Sequence, residues 1–146
     1  MGNTLLSIHE KIASLKIANL FTWFTRILLS LAFIPSGFTK IMGNRFTLIS
    51  IDNPIGFFFE ALYRSGWYWN FLGFMQLFVA LFLLIPKTTF AAAIIYFPII
   101  INIFFITLSL KFTGTPLITG FMLIANIYLL LWDYPKLKQV TSSIFK

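Results

Sequence analysis

Arg26-Ile27-Leu28-Leu29-Ser30-Leu31-Ala32-Phe33-Ile34-Pro35-Ser36-Gly37-Phe38-Thr39-Lys40 decides how this chain is read. It is the core of an apolar run that starts near Ile17. A helix needs about 20 apolar residues, at ~1.5 Å each, to cross a bilayer. This run is long enough, yet it carries a guanidinium. A charge at bilayer depth is costly, so an ionisable residue inside a span marks a candidate functional position. Arg26, Ser30, Phe33, Gly37 and Lys40 follow one another at helical steps of three and four and share one face. That face is the one least suited to lipid, and it is expected to look inward.

Composition supports the same class. The chain has 146 residues, 59% of them hydrophobic and only 10% charged, with a mean hydropathy of +0.90. Soluble domains carry about 25% charged residues, so an integral membrane protein of one domain is expected. The net charge of +7 lies mostly outside the apolar runs. Basic residues there read as topology signals and phospholipid contacts, and no nucleic-acid partner is expected. The absence of cysteine excludes disulfides, thiol redox catalysis and cysteine-ligated clusters. A single histidine, His9, excludes a multi-histidine metal site and a haem held by two histidines of this chain. No metal site is expected, no cofactor is covalently bound, and any redox role needs a diffusible or partner-bound carrier.

Outward from the first run, the sequence divides into four spans of about 19–38, 67–85, 88–110 and 116–132. Pro35 and Gly37 predict a kink or frayed last turn in the first span. Before it, Leu5, Ile8, Ile12 and Leu15 fall on one face of a short amphipathic helix resting on the membrane surface, with His9 solvated or at headgroup level. The N-terminus does not read as a signal peptide, because its apolar run holds Arg26 and no small-x-small site follows. Between the first two spans, Asp52 or Asn53 can cap a helix with Pro54 at its first position. That helix, Ile55 to Arg64, is too short to span and is expected to lie at the interface over one mouth of the bundle, with a Glu60–Arg64 pair.

Each span carries one polar-bearing stripe. In the second it is Asn70, Gly73, Gln76 and Ala80. In the third it is Ala91, Ile95, Pro98, Asn102, Phe105 and Ser109. In the fourth it is Thr119, Met122, Asn126, Leu129 and Asp133. Small and amide-bearing residues concentrate on buried helix–helix faces in membranes. The expected fold is all-α, an up-down four-helix membrane bundle. Six lysines (Lys11, Lys16, Lys87, Lys136, Lys138, Lys146) fall on the side of the termini, against Lys40, Arg45, Arg64 and Lys111 opposite. That bias places both termini in the cytoplasm of a multi-pass cell-membrane protein.

Arg26-x10-Gly37-x2-Lys40 at the close of the first span resembles the DoxX family of small four-helix membrane proteins. Gly66-Trp67 followed by Leu72-Gly73-Phe74-Met75-Gln76-Leu77 is similar to that family's second-helix opening, and Leu81-Phe82-Leu83-Leu84-Ile85-Pro86 to its exit. Asn102, and Leu130-Leu131-Trp132-Asp133-Tyr134-Pro135 at the end of the fourth span, agree in order and spacing. The resemblance spans roughly residues 20–140. It implies association with quinone-linked oxidoreductases, including a thiosulfate:quinone oxidoreductase, or with membrane redox and assembly complexes. Many relatives carry Glu where this chain has Gln76. An amide can orient a carbonyl ligand but cannot exchange a proton at physiological pH.

The candidate ligand-binding residues are therefore Arg26, Gln76, Asn102, Asn126 and Lys40. Each also has a structural reading. Arg26 can instead find an acceptor in its own protein, and the orientation of the first and fourth spans points to Asp133 as that partner in an ion pair. Lys40 is ordinary at a membrane edge. Gln76, Asn102 and Asn126 can serve as interhelical hydrogen bonds, worth about 0.6–2 kcal/mol each. With four acids in the chain, no nucleophilic or metal-catalytic constellation exists. Two function classes remain. One is a quinone-binding membrane subunit that serves an oxidoreductase. The other is a non-catalytic accessory protein that assembles or stabilises another membrane protein. Both involve the lipid bilayer and a membrane or peripheral protein partner, and self-association stays open.

Overall fold

A computed structural model describes the backbone of residues 2–144 and the side chains of Ser7 and residues 9–143. The described residues form seven helices: α1 Gly2–Ala13, α2 Lys16–Ile41, α3 Pro54–Arg64, α4 Trp67–Leu84, α5 Thr89–Ser109, α6 Thr115–Trp132 and α7 Tyr134–Ile144. Four of them, α2, α4, α5 and α6, are long and apolar enough to cross a membrane, so the chain is a multi-pass helical membrane protein. α2 packs on α4, α4 on α5, α5 on α6, and α6 returns to α2.

Side chain to carbonyl bonds fix the register of α2 on α4. Arg26 reaches Leu83, Ser30 reaches Ala80, Ser36 reaches Gln76, and Asn70 reaches Lys40 and Ile41. The partner number falls as the α2 number rises, so the two helices are antiparallel. The expected inward stripe of α2 is buried at every position, from Arg26 through Ser30, Phe33 and Gly37 to Lys40. Two glycines let these helices meet. A Cβ on Gly73 would stand 2.7 Å from the Gly37 carbonyl oxygen, the Ile41 nitrogen and Lys40 Cβ. Only hydrogen fits there.

α2 also runs through Pro35 to Ile41, without the expected early fraying. The proline removes one helical donor, and Thr39 Oγ1 donates to the Pro35 carbonyl one turn on, at 2.9 Å.

The α5 seam is corrected. Ala91, Pro98, Asn102, Phe105 and Ser109 are exposed, and the buried face is Thr89, Ala92, Ala93, Tyr96, Ile100 and Thr107. The helix is turned by about one residue, or roughly 100°, from the expected seam. Tyr96 stacks on Phe33 with ring centroids 4.1 Å apart, and small Ala92 and Ala93 admit the neighbouring helices. Packing of this ring outweighs the polar marker at Asn102.

α3 begins at Pro54. Asn53 is the cap: its side chain accepts from the Ile55 nitrogen at 2.9 Å, while Asp52 is engaged by the Ser50 hydroxyl. Gly66, at φ 69°, reverses the chain between α3 and α4. Glu60 accepts from both Arg64 and Arg45, each at 2.8 Å, so the anticipated pair is part of a three-residue cluster tying α3 to the preceding loop. The hydrogen bond from Arg45, then that from Arg64, hold the Glu60 carboxyl well below the ordinary value of 4.5, at about 2. A depressed carboxyl contributes stability above its unfolded value and loses it as pH falls through the folded one. The melting-temperature difference between the native chain and Glu60→Gln is expected to stay constant above about pH 4.5 and to vanish near pH 2.

At the opposite end, α7 continues the chain past a break at Asp133 and meets α1. His9 is half-buried, and its Nε2 donates to the Trp132 carbonyl at 2.6 Å, capping the end of α6. Of the expected apolar face of α1, Leu5 and Ile8 lie outside the described side chains, and Ile12 and Leu15 are exposed. Lys146 also lies outside the described residues.

Candidate functional site

α2 and α4 approach closely at Gly37 and Gly73, and beside this crossing the structure has a cavity of about 500 Å³. α2 supplies Ser36 and Lys40 to it, and α4 supplies Leu72, Met75 and Gln76. α5 supplies Pro98, Asn102 and Thr107, while Phe58 and Phe59 of α3 close over it with Phe46 of the loop. The walls are apolar apart from this small polar group, the composition of a pocket for a lipophilic ligand with a polar head.

Lys40 is the centre of that group. It is only 7% exposed. Its Nζ donates to the Gln76 Oε1 at 3.0 Å, to the Ser36 carbonyl at 3.2 Å and to the Ser36 hydroxyl. The ammonium also lies 4.8 Å from the Phe46 ring centroid and 5.1 Å from that of Trp69. Those faces attract a cation without giving it a counter-charge. Ser36 in turn donates to Gln76 Oε1 at 3.2 Å. With its oxygen engaged twice, Gln76 has its amide NH₂ left for a carbonyl in the cavity.

The neighbouring turn is fixed from outside. Asn70 Nδ2 donates to the Lys40 and Ile41 carbonyls, and Trp69 Nε1 donates to the Asn44 carbonyl at 3.0 Å. The end of α2, which carries Lys40, is thereby tied to the start of α4, which carries Gln76 about two turns further on.

Of the five expected site residues, the cavity gathers Lys40, Gln76 and Asn102. Asn102 sits at the rim, exposed, with Nδ2 donating to the Pro98 carbonyl at 2.7 Å. Arg26 and Asn126 do not line the cavity. Asn126 is fully buried between α5 and α6, where its Nδ2 donates to the Ala93 carbonyl at 3.2 Å. Arg26 lies fourteen positions before Lys40, about 21 Å away along α2. Its Nε donates to the Leu83 carbonyl at 2.7 Å, and its guanidinium rests over Trp23 at 4.0 Å. Leu83 is in the last turn of α4, so Arg26 caps the end of that helix.

The expected direct Arg26–Asp133 contact is not formed. Among the described residues no ion pair joins them, and Asp133 takes Lys136 at 3.2 Å. The hydrogen bond between Thr22 and Tyr128 sets the register of α2 on α6. It carries Asp133 past Arg26 toward the start of α2, where it acts on the guanidinium only through space.

Ser36 and the two aromatic faces beside Lys40 are site elements that sequence reasoning missed. Ser36 was detectable, since it stands four residues before Lys40 on the same helix. Trp69 and Phe46 were not, because they come from a different helix and a loop. No family model, curated protein or solved structure matches this chain.

Proposed function

We propose that the chain is a membrane subunit that holds a carbonyl-bearing lipophile of quinone type in the α2–α5 cavity and presents it to an oxidoreductase partner. One observation carries this reading: a buried ammonium and an amide with its oxygen already engaged converge on an apolar cavity under an aromatic lid. The volume of about 500 Å³ suits a quinone ring with the first part of its tail. Gln76 Nε2 is the donor for its carbonyl, Lys40 Nζ joins it by exchanging one of its three neutral acceptors for the ligand, and Phe46, Phe58 and Phe59 are the ring contacts. Quinone, when bound, supplies the electron chemistry. The side chains of this protein bind, orient and exclude water. The DoxX resemblance supplies the ligand class, and the cavity supports it with Lys40 in the donor role first assigned to Arg26.

In this reading the four long helices form an up-down bundle, with α1 and α7 on one membrane surface and α3 on the other. The cluster of Lys11, Lys16, Lys87, Lys136 and Lys138 supports a cell-membrane topology with both termini cytoplasmic. The accessory-protein reading has its own support in a second groove of about 630 Å³ between α2 and α6. It is almost wholly apolar, with Phe24, Leu28, Phe121 and Ala125 among its walls, and would suit a partner helix or lipid chain.

Titration of the purified chain with a short-tailed quinone, read by quenching of Trp69, tests the first reading. Gln76→Leu is expected to weaken binding about tenfold, the size of one hydrogen bond to a desolvated carbonyl. Arg26→Gln is expected to leave it unchanged. Equal affinity in the native chain and Gln76→Leu would shift the function to the α2–α6 groove.

A further inference from the structure

We propose that the natural ligand of the cavity is anionic at its head, an oxyanion on an apolar body such as the enolate of a hydroxyquinone or the carboxylate of a fatty acid. This rests on the cavity being the ligand site and narrows what the site selects. Lys40 is buried, and every acceptor it has is neutral: the Ser36 carbonyl, the Ser36 hydroxyl and the Gln76 amide oxygen. Among the described residues no ion pair includes Lys40.

The chain has four acids, and each is committed elsewhere or remote. Glu60 is shared by Arg45 and Arg64. Asp52 is engaged by Ser50. Asp133 pairs with Lys136, and Glu10 is exposed on α1 at the other end of the bundle. Even the Glu60 cluster beside the lid leaves one positive charge over, with two arginines for one carboxylate. Removing a cation from water without a counter-charge is unfavourable. A neutral quinone leaves that charge uncompensated. An oxyanion supplies the counter-charge by displacing one of the three neutral acceptors from Nζ, and the charge-assisted hydrogen bond it accepts is roughly twice as strong as the neutral one it replaces, while the cavity walls take the apolar body.

The test uses the full chain in phosphatidylcholine nanodiscs and three probes. They are a 2-hydroxy-3-alkyl-1,4-naphthoquinone at a pH where it is ionised, its 2-methyl analogue with the same tail, and oleate. Affinities are read from tryptophan quenching and corrected for partition into protein-free nanodiscs. The ionised quinone is expected to bind about tenfold tighter than the methyl analogue. Lys40→Met should bring the two to one affinity, while Lys40→Arg and Arg64→Gln should keep the difference. Equal affinities in the native chain, or a preference that survives Lys40→Met, overturn the anionic assignment and leave quinone binding standing. Binding of oleate alone keeps the oxyanion site and removes the quinone reading. Binding of none of the three overturns both. If Lys40→Met fails to fold, the comparison within the native chain decides.

Discussion

Gly73→Leu is expected to destabilise the bundle by about 3 kcal/mol or more and to abolish ligand binding. Even one added carbon at this position meets three atoms at 2.7 Å, two of them backbone atoms of α2 that have no rotamer to change. The helices must separate where they pack most extensively. Separation breaks the 3.0 Å bond from Lys40 to Gln76, one turn away on either side of the crossing. Gly120→Ala is the control. There a Cβ would meet only the Phe104 ring, at 3.3 Å, and a side chain can rotate away. A loss under about 1 kcal/mol is expected. Melting temperatures in detergent, together with the quinone titration, check both.

Lys40→Met is expected to raise the stability of the ligand-free protein by about 1–4 kcal/mol while weakening an oxyanion ligand about tenfold or more. Replacing an uncompensated buried charge by an apolar side chain of similar length removes its desolvation cost. Gln76 Oε1 keeps the Ser36 hydroxyl as a donor, so no acceptor is orphaned. The opposite signs of the two effects identify Lys40 as a binding group retained against stability. Lower stability together with unchanged binding would make it a structural residue instead. Thermal unfolding with and without ligand separates the two.

The α2 face was legible because steps of three and four residues from Arg26 to Lys40 leave no other inward side for a stretch that begins and ends on a cation. The start of α3 was legible for a similar reason, since Asn53 before Pro54 is a local cap signal realised by a local bond. What failed depended on register and rotation between helices. Asn102 and Pro98 marked α5 with polarity and a helix breaker, but the core is set by Tyr96 stacking on Phe33, a contact across 63 positions of sequence. Arg26 and Asp133 both end near the same membrane surface, yet the Thr22–Tyr128 bond offsets them along the bundle. His9 reaching the Trp132 carbonyl across 123 positions has no local signature at all. The site was half legible. Lys40 and Gln76 were candidates, but the structure joins them to Ser36 and to aromatic faces from other segments, and it sets Arg26 against the last turn of α4, about 21 Å along α2 from Lys40.

The most direct measurement is the lipid content of the protein purified gently from its native membrane. Mass spectrometry of the extract should find a quinone or an oxyanion-headed lipophile enriched over bulk membrane lipid in the native chain. That species should be lost from a Lys40→Met, Gln76→Leu double variant that remains folded. The same lipophile content in both proteins, or no enrichment in the native chain, would contradict a ligand held at Lys40 and Gln76.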